Sequence, residues 1–261
     1  MVHAVRTDSG VAPLVEAFVS VQGEGCLIGR PTFFVRTAGC PLRCTYCDTT
    51  ESYRAPRTFG LRALDGETLR TFENPCHVDE FVSAIDAMPD LLRSVEWVSL
   101  TGGEPTLWTD FALGLATRMR SRGLRMHLET ASDDVGRLRP LLPVFDSVAM
   151  DYKLEGTLDR APNDLQSQHV ACLDAALRAD LRVHVKVVLT DAVVDRVWHT
   201  MLDRLRSFGR DFVLILQPVT PTPNEQRRLP TVRLLAMLKS ALDAGFDARV
   251  LPQIHPLLGF A

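Results

Sequence analysis

The chain has 261 residues, 46% of them hydrophobic and 23% charged, which is ample for one large core and fits one domain better than two. Its 29 basic and 32 acidic residues leave a net charge of −3, which excludes general attraction to nucleic acid or an anionic membrane and points to small-molecule partners. Residues 1–13 form a polar N-terminal extension without an apolar h-region, and no run approaches the ~18 apolar residues of a membrane span, so a soluble, cytoplasmic protein is expected.

Residues 14–18 are a short apolar run leading into Ser20-Val21-Gln22-Gly23-Glu24-Gly25, where two glycines bracket a carboxylate in what reads first as a hairpin turn. The β-branched and aromatic run 31–38 predicts a strand that ends at Gly39 and delivers a cysteine loop. Alternation puts Phe34 and Arg36 on one face, and an arginine near the end of a core strand is costly unless it meets an anion. Residues 48–77 hold a polar, turn-rich stretch without a clear period, which predicts an irregular loop or lid insertion with a short hairpin. From there the pattern alternates. Helices over 78–93, 109–122, 133–141, 166–179, 194–208 and 230–244 are each followed by a strand, over 95–100, 125–130, 147–153, 183–190, 212–217 and 248–251.

Such alternation argues for α/β architecture, a parallel sheet with right-handed crossovers. Hydrophilic groups stand at or just past the C-terminal ends of six strands: Arg36, Thr101, Glu129, Asp151 with Lys153, Thr190 and Gln217. In a (β/α) barrel that end is the catalytic face. Each residue also has a plain structural reading. Glu129 or Lys186 can be a paired core charge, and His127 or His184 a hydrogen-bonded interior histidine.

Two motifs carry chemistry. Cys40, Cys44 and Cys47 lie on one short loop with gaps of three and two residues, and no fourth cysteine follows nearby. Three thiolates hold a [4Fe–4S] cube with one iron left open, whereas a structural zinc site closes with four protein ligands and would have to recruit Cys76 or His77. The scattered Cys26, Cys76 and Cys172 do not read as a disulfide framework, and a reducing compartment fits. Leu100-Thr101-Gly102-Gly103-Glu104-Pro105 is the second motif: two glycines at a predicted strand end let backbone come close to a ligand, although a Gly-Gly pair alone also marks a tight turn.

The spacing Cys-x3-Cys-x2-Cys, with Tyr46 before the third cysteine, resembles the radical S-adenosylmethionine (SAM) superfamily, and Thr101–Pro105 is similar to its glycine-rich SAM-binding strand end. Further segments resemble one branch, the 7-carboxy-7-deazaguanine synthases of queuosine and deazapurine biosynthesis. These are Val21-Gln22-Gly23-Glu24-Gly25, Gly29-Arg30-Pro31, Phe34 to Gly39, Cys47-Asp48-Thr49, Leu128-Glu129-Thr130, Gln217-Pro218 and Pro252-Gln253-Ile254-His255, in order from about residue 14 to 259.

The resemblance implies a single radical SAM domain over 1–261, folded as a partial (β/α)6-type TIM barrel. It implies a [4Fe–4S] cluster on Cys40, Cys44 and Cys47, SAM on its open iron, and Mg²⁺ on Thr49. It places SAM contacts at Gly103, Glu104, Asp151, Tyr152, Lys153, Gln217 and Pro218, and substrate contacts at Val21, Gln22, Gly23, Glu24, Arg36, Thr101 and His255. The implied reaction begins with reductive cleavage of SAM to a 5′-deoxyadenosyl radical and hydrogen abstraction from C6 of 6-carboxy-5,6,7,8-tetrahydropterin. Ring contraction and loss of ammonia then give 7-carboxy-7-deazaguanine. A homodimer served by a flavodoxin- or ferredoxin-type reductant is also implied. Two segments depart from the family pattern: Glu129-Thr130-Ala131-Ser132 stands where Glu-Thr-Asn-Gly is common, and Asp151-Tyr152-Lys153 where Ser-Pro-Lys is common. The rival readings are another radical SAM enzyme, such as a glycyl-radical-enzyme activase, and a non-catalytic iron–sulfur carrier or zinc-stabilised binding protein. The last class leaves Thr101–Pro105 unexplained.

Overall fold

The computed structural model describes residues 10–209, 211–222 and 225–259, so residues 1–9 of the N-terminal extension lie outside the described residues. Ten strands form the main sheet: β1 (Leu14–Val21), β2 (Pro31–Thr37), β3 (Thr58–Arg62), β4 (Thr68–Glu73), β5 (Trp97–Gly102), β6 (Arg125–Thr130), β7 (Ser147–Asp151), β8 (Arg182–Leu189), β9 (Val213–Pro218) and β10 (Asp247–Val250). Their spatial order is β10-β9-β8-β7-β6-β5-β2-β1-β3-β4. From β2 through β5 to β10 every neighbouring pair is parallel, as the alternating pattern predicts. β1 runs antiparallel to β2 with Phe18 opposite Phe34, and the two rings stack at 5.1 Å.

The strands sort their side chains with a period of two. One face carries Phe33, Val35, Val98, Leu100, Leu128, Val148, Met150, Val185, Val187, Leu214 and Leu216, all in the main core. Against it pack the apolar sides of α1 (Val78–Asp86), α2 (Thr109–Arg120), α4 (Leu165–Arg178), α5 (Asp195–Leu205) and α6 (Thr231–Asp243), through Phe81, Phe111, Leu115, Leu173, Trp198 and Met237. The concave face carries the residues in between, among them Arg36, Thr101, His127, Glu129, Asp151, His184, Lys186 and Gln217. Side chains reach across this face: Gln22, just after β1, bonds Glu129 on β6, and Glu24 pairs with Lys186 on β8. The result is an open, partial (β/α) barrel.

Several elements differ from expectation for identifiable reasons. α1 stops at Asp86, short of the expected 93, because Pro89 cannot continue a helix; residues 89–94 are turns. α3 (Val135–Leu138) is a single turn capped by the Asp134 side chain and closed off by Pro140. Within the 48–77 stretch, β3 and β4 form a hairpin that extends the sheet beyond β1 and buries Phe59, Leu61 and Phe72. Two short ribbons left no mark in the sequence pattern: Val11–Ala12 with Cys76–His77, and Arg43–Cys44 with Leu158–Arg160. Among the described residues no helix is long and apolar enough to cross a membrane.

His127, His169 and His184 are buried at 1–3% exposure, and His127 stacks on His184 at 5.7 Å across β7, where Ser147 lies opposite His127 and Ala149 opposite His184. Burial holds all three imidazoles below the ordinary histidine value, His169 down to about 3. The unfolded chain takes up protons near pH 6.5 that the folded one refuses, so stability is lost as pH falls through that value. His169 alone should cost about 2 kcal/mol between pH 7.5 and 5. Denaturant unfolding at both pH values should show His169→Gln losing less on acidification than the parent protein; an equal loss would contradict a neutral buried His169.

Candidate active site

The cysteine loop is held by backbone. Gly39 N–H donates to the Ser52 carbonyl at 2.7 Å, Gly103 N–H to Thr37 O at 3.0 Å, and Glu104 N–H to Gly39 O at 2.7 Å. The Arg43 guanidinium stacks on the Tyr53 ring at 4.0 Å and donates to the carbonyls of Cys40 and Leu42. The glycine pair closing β5 is needed for this approach. A Cβ on Gly102 would lie 2.2 Å from Thr37 O, and one on Gly103 would lie 2.1 Å from Gly39 O. What the two glycines admit closely is therefore backbone, the end of β2 at Thr37 for Gly102 and the start of the cysteine loop at Gly39 for Gly103, with Gly103 still bordering the cleft beyond it.

Cys40, Cys44 and Cys47 are half-buried and line one cleft at the C-terminal ends of the strands. Burial pushes the Cys40 thiol up to about 12 and raises Cys44 as well. Among the described residues no three His, Cys, Asp or Glu side chains gather around one metal-ion position. Three thiols on one loop suit three irons of a cube whose fourth iron stays open, and they fall one short of the four protein ligands of a structural zinc. The zinc alternative also loses its extra ligands: Cys76 is in the main core, and the His77 ring caps α1 by accepting from Asp79 N.

The cleft holds a cavity of about 210 Å³, more than ten times the ~15 Å³ one water needs. A chain of charges crosses it. Gln253 Nε2 donates to Asp48 Oδ2 at 2.8 Å and to Glu24 Oε1 at 2.5 Å. Glu24 pairs with Lys186, Lys186 lies 3.3 Å from Asp151, and Asp151 lies 2.9 Å from Lys153 Nζ. Burial would raise the carboxyls of Glu24 and Asp151, but the lysines outweigh it and hold both below the ordinary carboxylate value. Burial would likewise lower the two lysines, yet Asp151 keeps both above theirs. Two anions and two cations thus stay ionised and cancel, an arrangement whose desolvation cost is more often retained for function than for stability.

On the other side of the cleft, Arg36 Nε donates to Glu16 at 2.9 Å, and Arg62 shares the same carboxylate at 2.5 Å. Two guanidiniums on one carboxylate leave a net positive charge, and the Arg36 Nη atoms have no partner among the described residues. Glu129 accepts from Gln22 at 2.9 Å, Ser99 at 2.6 Å and Thr101 at 3.3 Å. The Gln22–Gly25 segment plugs the barrel over these groups. Cβ atoms on Gly23 and Gly25 would lie 2.4 Å from His255 Nδ1 and 2.3 Å from His184 Nε2, and Gly25 has a φ of +64°. The hairpin turn read from the sequence is present, and its glycines seat it against two histidines.

Most of the expected site residues line this one cleft: Val21, Gln22, Gly23, Glu24, Arg36, Cys40, Cys44, Cys47, Thr49, Thr101, Gly103, Asp151, Lys153, Gln217 and His255. Three do not. Glu104 is fully buried behind it, accepting from Thr106 N and Oγ1, Thr130 Oγ1 and Ala131 N, so it ties strand ends together. Tyr152 points to the helix side against His169, as alternation dictates between Asp151 and Lys153, and Pro218 faces away from the neighbouring Gln217. Thr190 also turns away, its hydroxyl accepting from Ala192 N. Gln253, a lining residue with both carboxylate contacts, was legible only as part of a motif. The Gln217 Oε1 and Asp151 Oδ1 atoms are buried without a partner, which suits a polar cofactor lying between them.

A partial barrel with a three-cysteine loop at its mouth defines the radical SAM class, and the Radical SAM superfamily model matches residues 34–201. The 7-carboxy-7-deazaguanine synthase of Methanopyrus kandleri is 35% identical over 246 residues, covering 94% of this chain and 92% of the relative. That of Methanothermobacter thermautotrophicus is 31% identical over 263 residues, covering 95% and 97%. The chain belongs to the 7-carboxy-7-deazaguanine synthase family of radical SAM enzymes. Among solved structures, QueE from Escherichia coli superposes with a TM-score of 0.61 at 19% identity, covering 92% of this chain and 93% of that one. A radical SAM methyltransferase from Sphaerobacter thermophilus gives 0.61 at 19% identity, covering 85% and 66%. At such identities these two speak for the fold alone. The activase reading is not favoured by the named relatives.

Proposed function

We propose that this enzyme converts 6-carboxy-5,6,7,8-tetrahydropterin to 7-carboxy-7-deazaguanine by radical ring contraction with loss of ammonia. The observation that carries the reading is the two-sided cleft, with three thiols, Asp151, Lys153 and Gln217 on one side and Arg36, Gln22, Glu24 and Glu129 on the other. Bound to Cys40, Cys44 and Cys47, a [4Fe–4S] cluster supplies the electron that cleaves SAM and so starts the chemistry. The chain's own work is positioning. The free prongs of Arg36 take the substrate carboxylate, and Gln22, Glu24 and Glu129 take the aminopyrimidinone edge. The Gln22–Gly25 plug and the charged tetrad hold the substrate against the SAM side. A flavodoxin- or ferredoxin-type reductant and a homodimer belong to the same reading. Deuterium placed at C6 of the pterin tests it: label should appear on the 5′ carbon of the adenosyl product, and retention of all label in the pterin would refute the reading.

Arg36→Lys should weaken pterin binding although charge is retained, because an ammonium cannot hold Glu16 and a carboxylate in fork geometry. The expected loss is on the order of 2–3 kcal/mol, tens- to over a hundredfold in affinity. Unchanged affinity, measured with SAM bound, would remove Arg36 from the site.

For Mg²⁺ the residue proposed is Thr49. Its side chain makes no capping bond to the 3₁₀ turn it precedes, and its hydroxyl lies 3.9 Å from Cys47 Sγ at the cleft wall. One hydroxyl with waters and substrate oxygens suits Mg²⁺, which would neutralise charge on the substrate. Thr49→Val keeps the shape and removes the oxygen, so Mg²⁺ should no longer accelerate product formation while cluster content and SAM binding stay normal. An equal Mg²⁺ response in both proteins would leave Thr49 no metal role.

A further inference from the structure

α4 carries Gln166 and His169 three residues apart, on the side facing the ends of β6 and β7. His169 is 1% exposed and uses both ring nitrogens. Its Nε2 lies 3.1 Å from the Lys153 amide, which can only donate, so Nε2 accepts; Nδ1 then carries the proton and donates to Ser132 O at 3.1 Å. Gln166 Nε2 donates to the Lys153 carbonyl at 2.8 Å. Both backbone polar groups of Lys153 therefore end on side chains of one helix.

His169 thus ties together two turns, Thr130–Ser132 at the end of β6 and Asp151–Lys153 at the end of β7. Ser132 adopts φ +53°, a left-handed conformation that side chains other than Asn and Asp rarely accept, and it is held there by His169 and by its own amide donating to Thr130 Oγ1 at 3.0 Å. Thr130 and Ala131 from the first turn and Asp151 and Lys153 from the second border the cleft beside the cysteine loop. Lys153 Nζ lies 5.3 Å from the centre of the Tyr46 ring, between Cys44 and Cys47 in sequence.

We infer that His169, supported by Gln166, is a positioning residue that locks the Thr130–Ser132 turn to the Lys153 backbone, so that Asp151 and Lys153 meet SAM in one fixed arrangement. The inference rests on the reading of Asp151 and Lys153 as the SAM side of the cleft. Neither α4 residue touches the cleft; each acts through the backbone of a residue that does.

The test is the equilibrium affinity of the cluster-loaded protein for SAM, measured anaerobically without reductant or pterin. His169→Leu leaves the Lys153 amide and the Ser132 carbonyl buried and unpaired, and SAM affinity should fall by about tenfold or more. Iron and sulfide content and the KM for pterin should stay at parent values. His169→Gln, whose amide oxygen can accept from Lys153, should recover affinity to within about threefold. Parent-like affinity in His169→Leu, or an equal loss in both variants accompanied by a shifted pterin KM, would overturn the inference. Should His169→Leu not fold, the half-buried Gln166→Met carries the test, with weakened SAM binding expected and unchanged binding overturning the clamp. Lys153→Met separates the premise from the inference. If it leaves SAM affinity unchanged, the reading of Lys153 fails and the clamp with it; if it weakens SAM while neither α4 variant does, the clamp alone is wrong.

Discussion

Alanine at Cys40, Cys44 or Cys47 is expected to abolish turnover and leave the protein without a stable cluster, whereas alanine at Cys26, Cys76 or Cys172 should preserve both. The three loop thiols share one cleft wall. The scattered three cannot substitute: Cys76 and Cys172 are buried in the main core, and Cys26 is exposed on the turn after Glu24. A cube that loses one thiolate has no spare ligand in reach. Iron and sulfide analysis with visible absorption reads the outcome, and an active Cys44→Ala protein or a cluster-free Cys172→Ala protein would contradict the assignment.

The glycine pair should be almost as sensitive, and for a reason internal to the fold. A methyl group on Gly103 would sit 2.1 Å from Gly39 O, and one on Gly102 would sit 2.2 Å from Thr37 O and 2.4 Å from Thr37 N. These are backbone atoms of β2 and the cysteine loop, so neither can swing away as a side chain would. At Gly102 the φ of +133° adds strain. Gly103→Ala should cost about 3 kcal/mol or more and displace Cys40, with loss of most of the cluster. Gly66→Ala is the control: its φ is +87° but nothing lies within 4 Å, so only about 1 kcal/mol of backbone strain is expected. Melting curves and iron content compare the two; a Gly103→Ala protein with parental stability and full iron would refute the close packing.

Much of this architecture was legible because its signals are local. The run 125–130 is apolar at alternate positions, Met126 and Leu128, which fixes a strand with Glu129 on the opposite face, and the structure has that strand with those ends. The three thiols are readable because ligands on one loop need no fold to bring them together. Arg36 was legible as a charge needing an anion, but its pairing with Glu16, which Arg62 shares, depends on β1 and β3 lying alongside, which no spacing reveals. Glu104 shares a motif with Gly103 yet points the other way, since a strand end alternates its side chains. Gln253 meets Asp48 across 205 positions, and Gln166 and His169 meet backbone of another segment, so neither arrangement leaves a periodic trace. Helix ends were misplaced where a proline cut them short, as at Pro89 and Pro140.

The central claim is that one cleft joins a SAM-cleaving cluster to a carboxylated pterin. Its most direct test is anaerobic incubation of the cluster-loaded enzyme with reductant, SAM and 6-carboxy-5,6,7,8-tetrahydropterin, followed by mass analysis of the products. The account predicts 7-carboxy-7-deazaguanine and ammonia, both requiring SAM and reductant and both absent with Cys44→Ala. SAM cleavage at the same rate with and without the pterin, and no 7-carboxy-7-deazaguanine, would contradict it.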